Sequence, residues 1–342
     1  MVRCTTDGCS LISGDVVPEQ KEEPMSLDPR IRTFLEQEGL LIPPGSAPRV
    51  LEVLLEDMRV NDEKAKMAAA QAAAALPVGR VEDRTIPGPA GTVSVRLYAP
   101  VGRGPFPVLL YLHGGGWVSG NLDTEDSGCR YFCRQVGCLV LSVDYRLPPE
   151  HPFPAGLEDC YAAACWLAGQ AAQSGGDPAR LAVCGASGGG NFAAAIALMC
   201  RDRGGPSLCF QLLVVPVLDF DLSAPSWQDY DGCMIYSQEF LLVRNLYAPN
   251  VSDQMHPYAA PLLAPDLHGL PPALIITAEC DPVRDSGERY GRRLQEAGVS
   301  ASVSRYDGVP HGFMGMRALT LLAERALDEA ADALRRAFAK RG

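Results

Sequence analysis

Aromatic residues make up only 7% of the chain, and five histidines are spread over its 342 residues, so chemistry that needs an imidazole has few candidates. Basic residues are also in short supply. Lys and Arg total 30 against 41 Asp and Glu, and the net charge of −11 argues against nucleic acid or an anionic membrane surface as a partner. No apolar stretch approaches the roughly 18 residues that would mark a membrane span. Met1–Asp7 lacks the apolar core of a secretory signal, so a cytoplasmic location is expected. Residues 1–26 are polar and without periodicity, and a disordered extension is expected there. The twelve cysteines include no C-x-x-C pair. Cys129, Cys133 and Cys138 fall near one expected helix but have no histidine at zinc spacing, so no metal is expected. Cys160, Cys165, Cys184, Cys200 and Cys209 read as small buried hydrophobes.

Residues 185–190 read Gly-Ala-Ser-Gly-Gly-Gly and follow the apolar run Leu181-Ala182-Val183-Cys184. A buried strand that turns sharply into a helix strains the backbone at the turn and leaves no room for side chains around it. The pattern therefore predicts a nucleophile elbow with Ser187 at its tip. Glycine-rich loops that hold a serine also occur as ordinary turns or phosphate cradles, so the pattern needs support from elsewhere.

His113-Gly114-Gly115-Gly116-Trp117 follows another apolar run, Val108–Leu112. Three successive glycines bare backbone N–H groups, and such donors can form an oxyanion hole, joined by the N–H of Gly188 after the serine. The bland alternative is a flexible loop.

A serine hydroxyl needs an imidazole to take its proton and a carboxylate to hold that imidazole. His311 follows the strand-like run Val303–Tyr306 and precedes Gly312, while His113 would orient the glycine loop. His151 reads as a turn residue, and His256 and His268 lie in Pro-rich loops. For the acid, Asp281 directly follows the run Ala273–Ala278, where α/β sheets keep their chemistry. Asp285 is its rival, placed where a carboxylate simply favours a helix N-terminus. Cys280, next to Asp281, is the cysteine expected to be reactive.

Strand-like runs fall near 81–88, 92–99, 107–112, 138–144, 180–184, 210–217, 273–279 and 301–306. From the third onward they alternate with helical stretches near 123–136, 155–172, 190–202, 284–297 and 317–339. That alternation predicts an α/β class, a mostly parallel eight-stranded sheet with the motifs on one rim. Gly88-Pro89-Ala90-Gly91 predicts an antiparallel hairpin between the first two strands. Run 301–306 is a candidate edge strand through which two copies could pair as a homodimer. Two segments stand outside the alternation and are expected to cover the rim. Residues 27–76 form two helices, opened by Leu27-Asp28-Pro29, split at Pro43-Pro44-Gly45-Ser46 and ending in the Ala-rich run 68–75. Residues 219–258 carry Trp227, Tyr230, Met234, Tyr236, Phe240 and Tyr247. With Trp117 nearby, Trp227, Tyr230, Tyr236 and Phe240 are the candidate pocket lining. Residues 77–218 and 259–342 would then be the catalytic domain.

These motifs in this order, with Val143-Asp144-Tyr145-Arg146-Leu147, Pro149-Glu150-His151-Pro152-Phe153-Pro154, Asp281-Pro282-Val283-Arg284-Asp285 and His311-Gly312-Phe313, resemble the hormone-sensitive lipase-like family of α/β-hydrolases, bacterial carboxylesterases in particular. The resemblance covers residue 27 to the C-terminus. It implies an α/β-hydrolase fold with a helical cap, a triad of Ser187, Asp281 and His311, and an oxyanion hole of the Gly115, Gly116 and Gly188 amides. It further implies a serine carboxylesterase acting on small to medium acyl esters, with a small-molecule ester as substrate and no cofactor. The chain departs from the usual Gly-Asp-Ser-Ala-Gly-Gly of the family: Ala186 replaces the aspartate and Gly188 the alanine. Other readings on this scaffold are a lyase or dehydratase, an acyltransferase, and a receptor-like binding protein. An intact Ser187, Asp281 and His311 favour hydrolysis over the lyase and the receptor, and sequence does not separate hydrolysis from acyl transfer.

Overall fold

In a computed structural model of the chain, described for residues 27–339 except Pro44, the elements follow the alternation of apolar runs. Helices α1 (Pro29–Gln37) and α2 (Leu51–Ala75) come first, and Asp28 caps α1 by accepting the N–H of Arg30 at 2.9 Å. The expected extension at residues 1–26 lies outside the described residues. Then follow β1 (Arg80–Gly88), β2 (Gly91–Ala99), β3 (Phe106–Leu112), α3 (Asp126–Val136), β4 (Leu139–Asp144), α4 (Ala155–Gln170), β5 (Gly176–Ala186), α5 (Gly188–Asp202) and β6 (Phe210–Val214). Three short helices come next, α6 (Pro225–Tyr230), α7 (Ser237–Tyr247) and α8 (Val251–Gln254), before β7 (Ala273–Cys280), α9 (Arg284–Glu296), β8 (Ala301–Pro310) and α10 (Leu321–Ala339).

The strands form one eight-stranded sheet in the order β1-β2-β4-β3-β5-β6-β7-β8. β1 and β2 make the antiparallel hairpin, β2 also runs antiparallel to β4, and every pairing from β4 to β8 is parallel. The chain thus carries the α/β-hydrolase architecture, and β8 is an edge strand.

Strand periodicity sorts the core into two layers. Leu110, Leu112, Val183 and Leu213 face α4 and α5 on one side, together with Tyr290 and Leu294 of α9. Leu109, Tyr111, Ala182 and Leu212 face α1, α3 and α10 on the other. Each fully buried leucine of this kind contributes about 1.5–3 kcal/mol of transfer free energy. The central strands are apolar on both faces because both faces are covered by helices. Among the described residues, no helix is long and apolar enough to cross a membrane.

Candidate active site

Ser187 sits between the last residue of β5 and the first of α5 at φ 54°, ψ −119°, a conformation that L-residues rarely adopt. Strain of this kind costs on the order of 1–3 kcal/mol and persists only where the surroundings force it. Here the forcing is steric. A Cβ on Gly185 would strike the carbonyl of Gly189, and one on Gly189 would strike the carbonyls of Leu112 and His113. The N–H of Ser187 donates to Val214 O at 2.9 Å, which ties the turn to the end of β6.

Asp281 follows β7 directly, and His311 follows β8. Asp281 is fully buried, with one carboxylate oxygen accepting the N–H of Val283 at 3.0 Å. Its other oxygen lies 2.8 Å from His311 Nδ1, and His311 Nε2 lies 2.9 Å from Ser187 Oγ. A carboxylate only accepts, so Nδ1–H donates to Asp281 and Nε2 is left to accept the Ser187 hydroxyl proton. The three side chains form one hydrogen-bonded row across three strand ends. Asp285 is placed otherwise, in the first turn of α9, where it accepts the N–H of Ser226 at 3.0 Å and Arg284 Nε at 2.9 Å. It fastens α6 to α9.

The glycine run after β3 lies against this row. Gly115 and Gly116 have φ of 108° and 58°, and Gly115 O accepts the N–H groups of Val118 and Ser119 at 3.1 Å. A Cβ placed on Gly188 would lie 3.5 Å from Gly116 N and 3.1 Å from Trp117 N, so backbone amides crowd onto one spot beside the serine. His113 holds the loop: its Nδ1–H donates to Gly114 O at 2.7 Å, and its ring stacks on Tyr145 at 4.0 Å. Burial pushes the His113 imidazole down to about 4, which keeps it neutral at pH 7. His256 and His268 are exposed.

Ser187 and His311 open into a cavity of about 1010 Å³ that also meets Gly114, Gly115, Gly116 and Ala186. Of the aromatic candidates, Trp117, Tyr236 and Phe240 line it. Trp227 and Tyr230 are not part of the lining. Trp227 is buried against Phe240 at 5.0 Å, and Tyr230 lies under the Arg284 guanidinium at 5.4 Å. They pack the insert onto the fold.

The cavity wall also includes residues that the motifs do not announce: Leu54 and Met58 of α2, Val243 of α7, and Tyr111 of β3. Leu54 and Met58 are four apart on one helix face, a spacing visible in the sequence once the helix is known. Two polar ties join the wall segments. Arg49 donates to Glu239 through Nε at 2.7 Å and Nη2 at 2.6 Å, and the Tyr236 hydroxyl donates to Ser46 O at 2.6 Å.

Two cysteine expectations are corrected. Cys280 is buried in the layer on the α1, α3 and α10 side of the sheet, and burial pushes its thiol up to about 12, which disfavours the reactive thiolate. Cys165, read as a buried hydrophobe, is exposed on α4.

Comparison with known proteins agrees with this geometry. A profile of the alpha/beta hydrolase fold family matches residues 109–315. The chain is 43% identical to carboxylesterase NlhH of Mycobacterium tuberculosis over 77% of this chain and 84% of that one. It is 35% identical to ethyl acetate hydrolase of Pseudomonas putida over 91% of this chain and 99% of that one. The solved esterase of Pyrobaculum calidifontis superposes with a TM-score of 0.82 at 37% identity, covering 91% of this chain and 98% of that one. The chain belongs to the α/β-hydrolase fold family, within its hormone-sensitive lipase-like carboxylesterase branch.

Proposed function

We propose that the protein is a serine carboxylesterase in which Ser187 is the nucleophile, His311 the general base and acid, and Asp281 the group that orients and stabilises the imidazolium. The observation that carries this reading is the row Asp281–His311–Ser187, at 2.8 and 2.9 Å, opening into a cavity. Ser187 Oγ bonds to the ester carbonyl carbon while its proton moves to His311 Nε2. The carbonyl oxygen becomes an oxyanion held by the amides of Gly115, Gly116 and Gly188, each donor being worth about 3 kcal/mol in the transition state. Collapse breaks the bond to the leaving alcohol, which takes the proton from His311. Water then enters by the same route and releases the acid.

Residues 77–218 and 259–342 act as the catalytic domain, and residues 27–76 and 219–258 as a cap. The ties Arg49–Glu239 and Tyr236–Ser46 support treating the two cap segments as one cover. A cavity of about 1010 Å³ with Trp117, Tyr236 and Phe240 in its wall suits small to medium acyl esters. Unpaired thiols at Cys129, Cys133 and Cys138 favour a reducing compartment, and we place the protein in the cytoplasm, which cell fractionation checks. The open edge of β8 supports a homodimer, tested by sedimentation.

The experiment is hydrolysis of a chain-length series of p-nitrophenyl esters by the wild type and by Ser187→Ala, with mass spectrometry after fluorophosphonate treatment. Expected are turnover of short esters, its loss in Ser187→Ala, and one adduct on Ser187. No turnover and no adduct would overturn the reading.

A further inference from the structure

Two residues before Asp281, the buried Glu279 of β7 carries a carboxylate that the reaction above does not use. It accepts the N–H of Gly308 at 2.7 Å. Gly308 lies in β8, three residues before His311.

The sheet ladder explains why that bond matters. Ala278 is paired with Tyr306, but Cys280 is paired with Pro310, so β8 spends two more residues than β7 in the same interval. Gly308, at φ 71°, sits in this bulge, where the regular ladder is interrupted. The Glu279 side chain supplies an acceptor for its N–H. On the other side of the same peptide-bearing residue, Gly308 O accepts the N–H of Asp28, the capping residue of α1, at 3.0 Å. Arg284 Nη1 in turn donates to the backbone carbonyl of Glu279 at 3.0 Å. Immediately past the bulge, Cys280 and Pro310 are in register, and the next residue on each strand is Asp281 and His311. A slip of one residue here would turn His311 to the opposite face.

We infer that Glu279 is a positioning residue, whose carboxylate holds the β8 bulge at Gly308 and so sets His311 against Asp281. The inference rests on His311 being the base of the proposed reaction. Reach, rather than charge, is what the position needs. Glutamine keeps an oxygen at the same distance, whereas aspartate keeps the charge and falls short by a methylene.

The test compares Glu279→Gln, Glu279→Asp and Glu279→Ala in the full chain, with kcat expressed per fluorophosphonate-titrated site. The low-field proton resonance of His311 Nδ1–H is followed by NMR in parallel. Expected is Glu279→Gln within about threefold of wild type with the resonance kept. Glu279→Asp and Glu279→Ala should lose about 10- to 100-fold in kcat with KM little changed and the resonance weakened, the scale of a small misplacement of a reacting group. Should Glu279→Ala not fold, the Asp and Gln variants decide between them. Wild-type kcat and resonance in Glu279→Asp, or their loss in Glu279→Gln, would overturn the positioning role while leaving the Ser187 adduct intact. Absence of that adduct in the wild type would instead remove the reaction itself, and the positioning role with it.

Discussion

The strand ends that carry Ser187, Asp281 and His311 are held mainly by backbone, with Glu279 the side-chain exception, whereas the segments that roof them are joined mainly by side chains. At the strand ends, Gly185 and Gly189 touch backbone carbonyls so closely that no Cβ fits, and Asp281 and His311 stand one step past a paired Cys280 and Pro310. Across the roof, the side chains of Arg49 and Tyr236 reach Glu239 and Ser46, and backbone pairing is confined to the short bridge of Leu41 with Cys233. The first kind of restraint admits almost no substitution without moving the chemistry. The second admits many, each reshaping the space a substrate meets, so chemistry and specificity are stored in different parts of the chain.

The sharpest break in that comparison is between two aspartates on the same stretch. Asp281→Asn keeps the shape, but its single oxygen cannot accept from both Val283 N–H and His311 Nδ1–H, and an NH2 turned toward His311 selects the wrong tautomer, so kcat should fall by about 10⁴-fold, the scale seen for that change in serine proteases. Asp285→Asn should stay within about threefold, because Asp285 touches neither Ser187 nor His311 and its two bonds, to Ser226 and Arg284, fasten α6 to α9. Steady-state kinetics on one short ester decides both. Equal losses in the two variants would mean that the strand end does not separate chemistry from scaffolding as its geometry indicates.

A smaller effect is expected in the roof. Arg49→Ala leaves the buried Glu239 without its guanidinium partner and loosens α2 from α7. KM for short esters should rise about tenfold, equivalent to about 1.4 kcal/mol and within the range for hydrogen bonds to charged groups, while kcat changes little. A fall in kcat at constant KM would show that the roof holds the reacting groups as well as the substrate.

The same division governs what could be read from the sequence. The central strands β3 to β7 are legible as apolar runs because both their faces are buried, whereas β1, β2 and β8 are read from mixed runs that leave part of one face exposed. Their ends are less so: the sixth strand stops at Val214, short of the apolar run that extends to 217, since Val215 turns to φ 39° ahead of Pro216. The last helix begins at Leu321 rather than 317, after the turn at residues 313–315. At the site, Ser187, Asp281 and His311 were legible because glycines and strand ends mark them locally. The wall was not, because membership depends on how a distant helix packs. Trp227 and Tyr230 looked like lining by residue type and lie outside it, while Leu54 and Met58 carried no chemical mark and lie within it. Aromatic character predicts burial, and burial alone does not say which side of a wall a ring occupies.

The smallest expected effect separates reactivity from proximity. Cys280 is adjacent in sequence to Asp281, yet strand alternation sends neighbouring side chains to opposite faces, and its thiol is buried in the core layer on one side of the sheet while Asp281 meets His311. Burial holds that thiol near 12, so at pH 8 its thiolate fraction is on the order of 10⁻⁴. Cys165, exposed on α4 and away from the cavity wall, is open to reagents. Brief treatment with iodoacetamide at pH 8 should therefore label Cys165 first among the described cysteines and leave esterase activity unchanged within about 10%, since alkylation follows the exposed thiolate. Loss of activity in step with Cys280 labelling would show that the strand end opens far enough to expose its inner face, and the rigid half of the comparison would have to be given up.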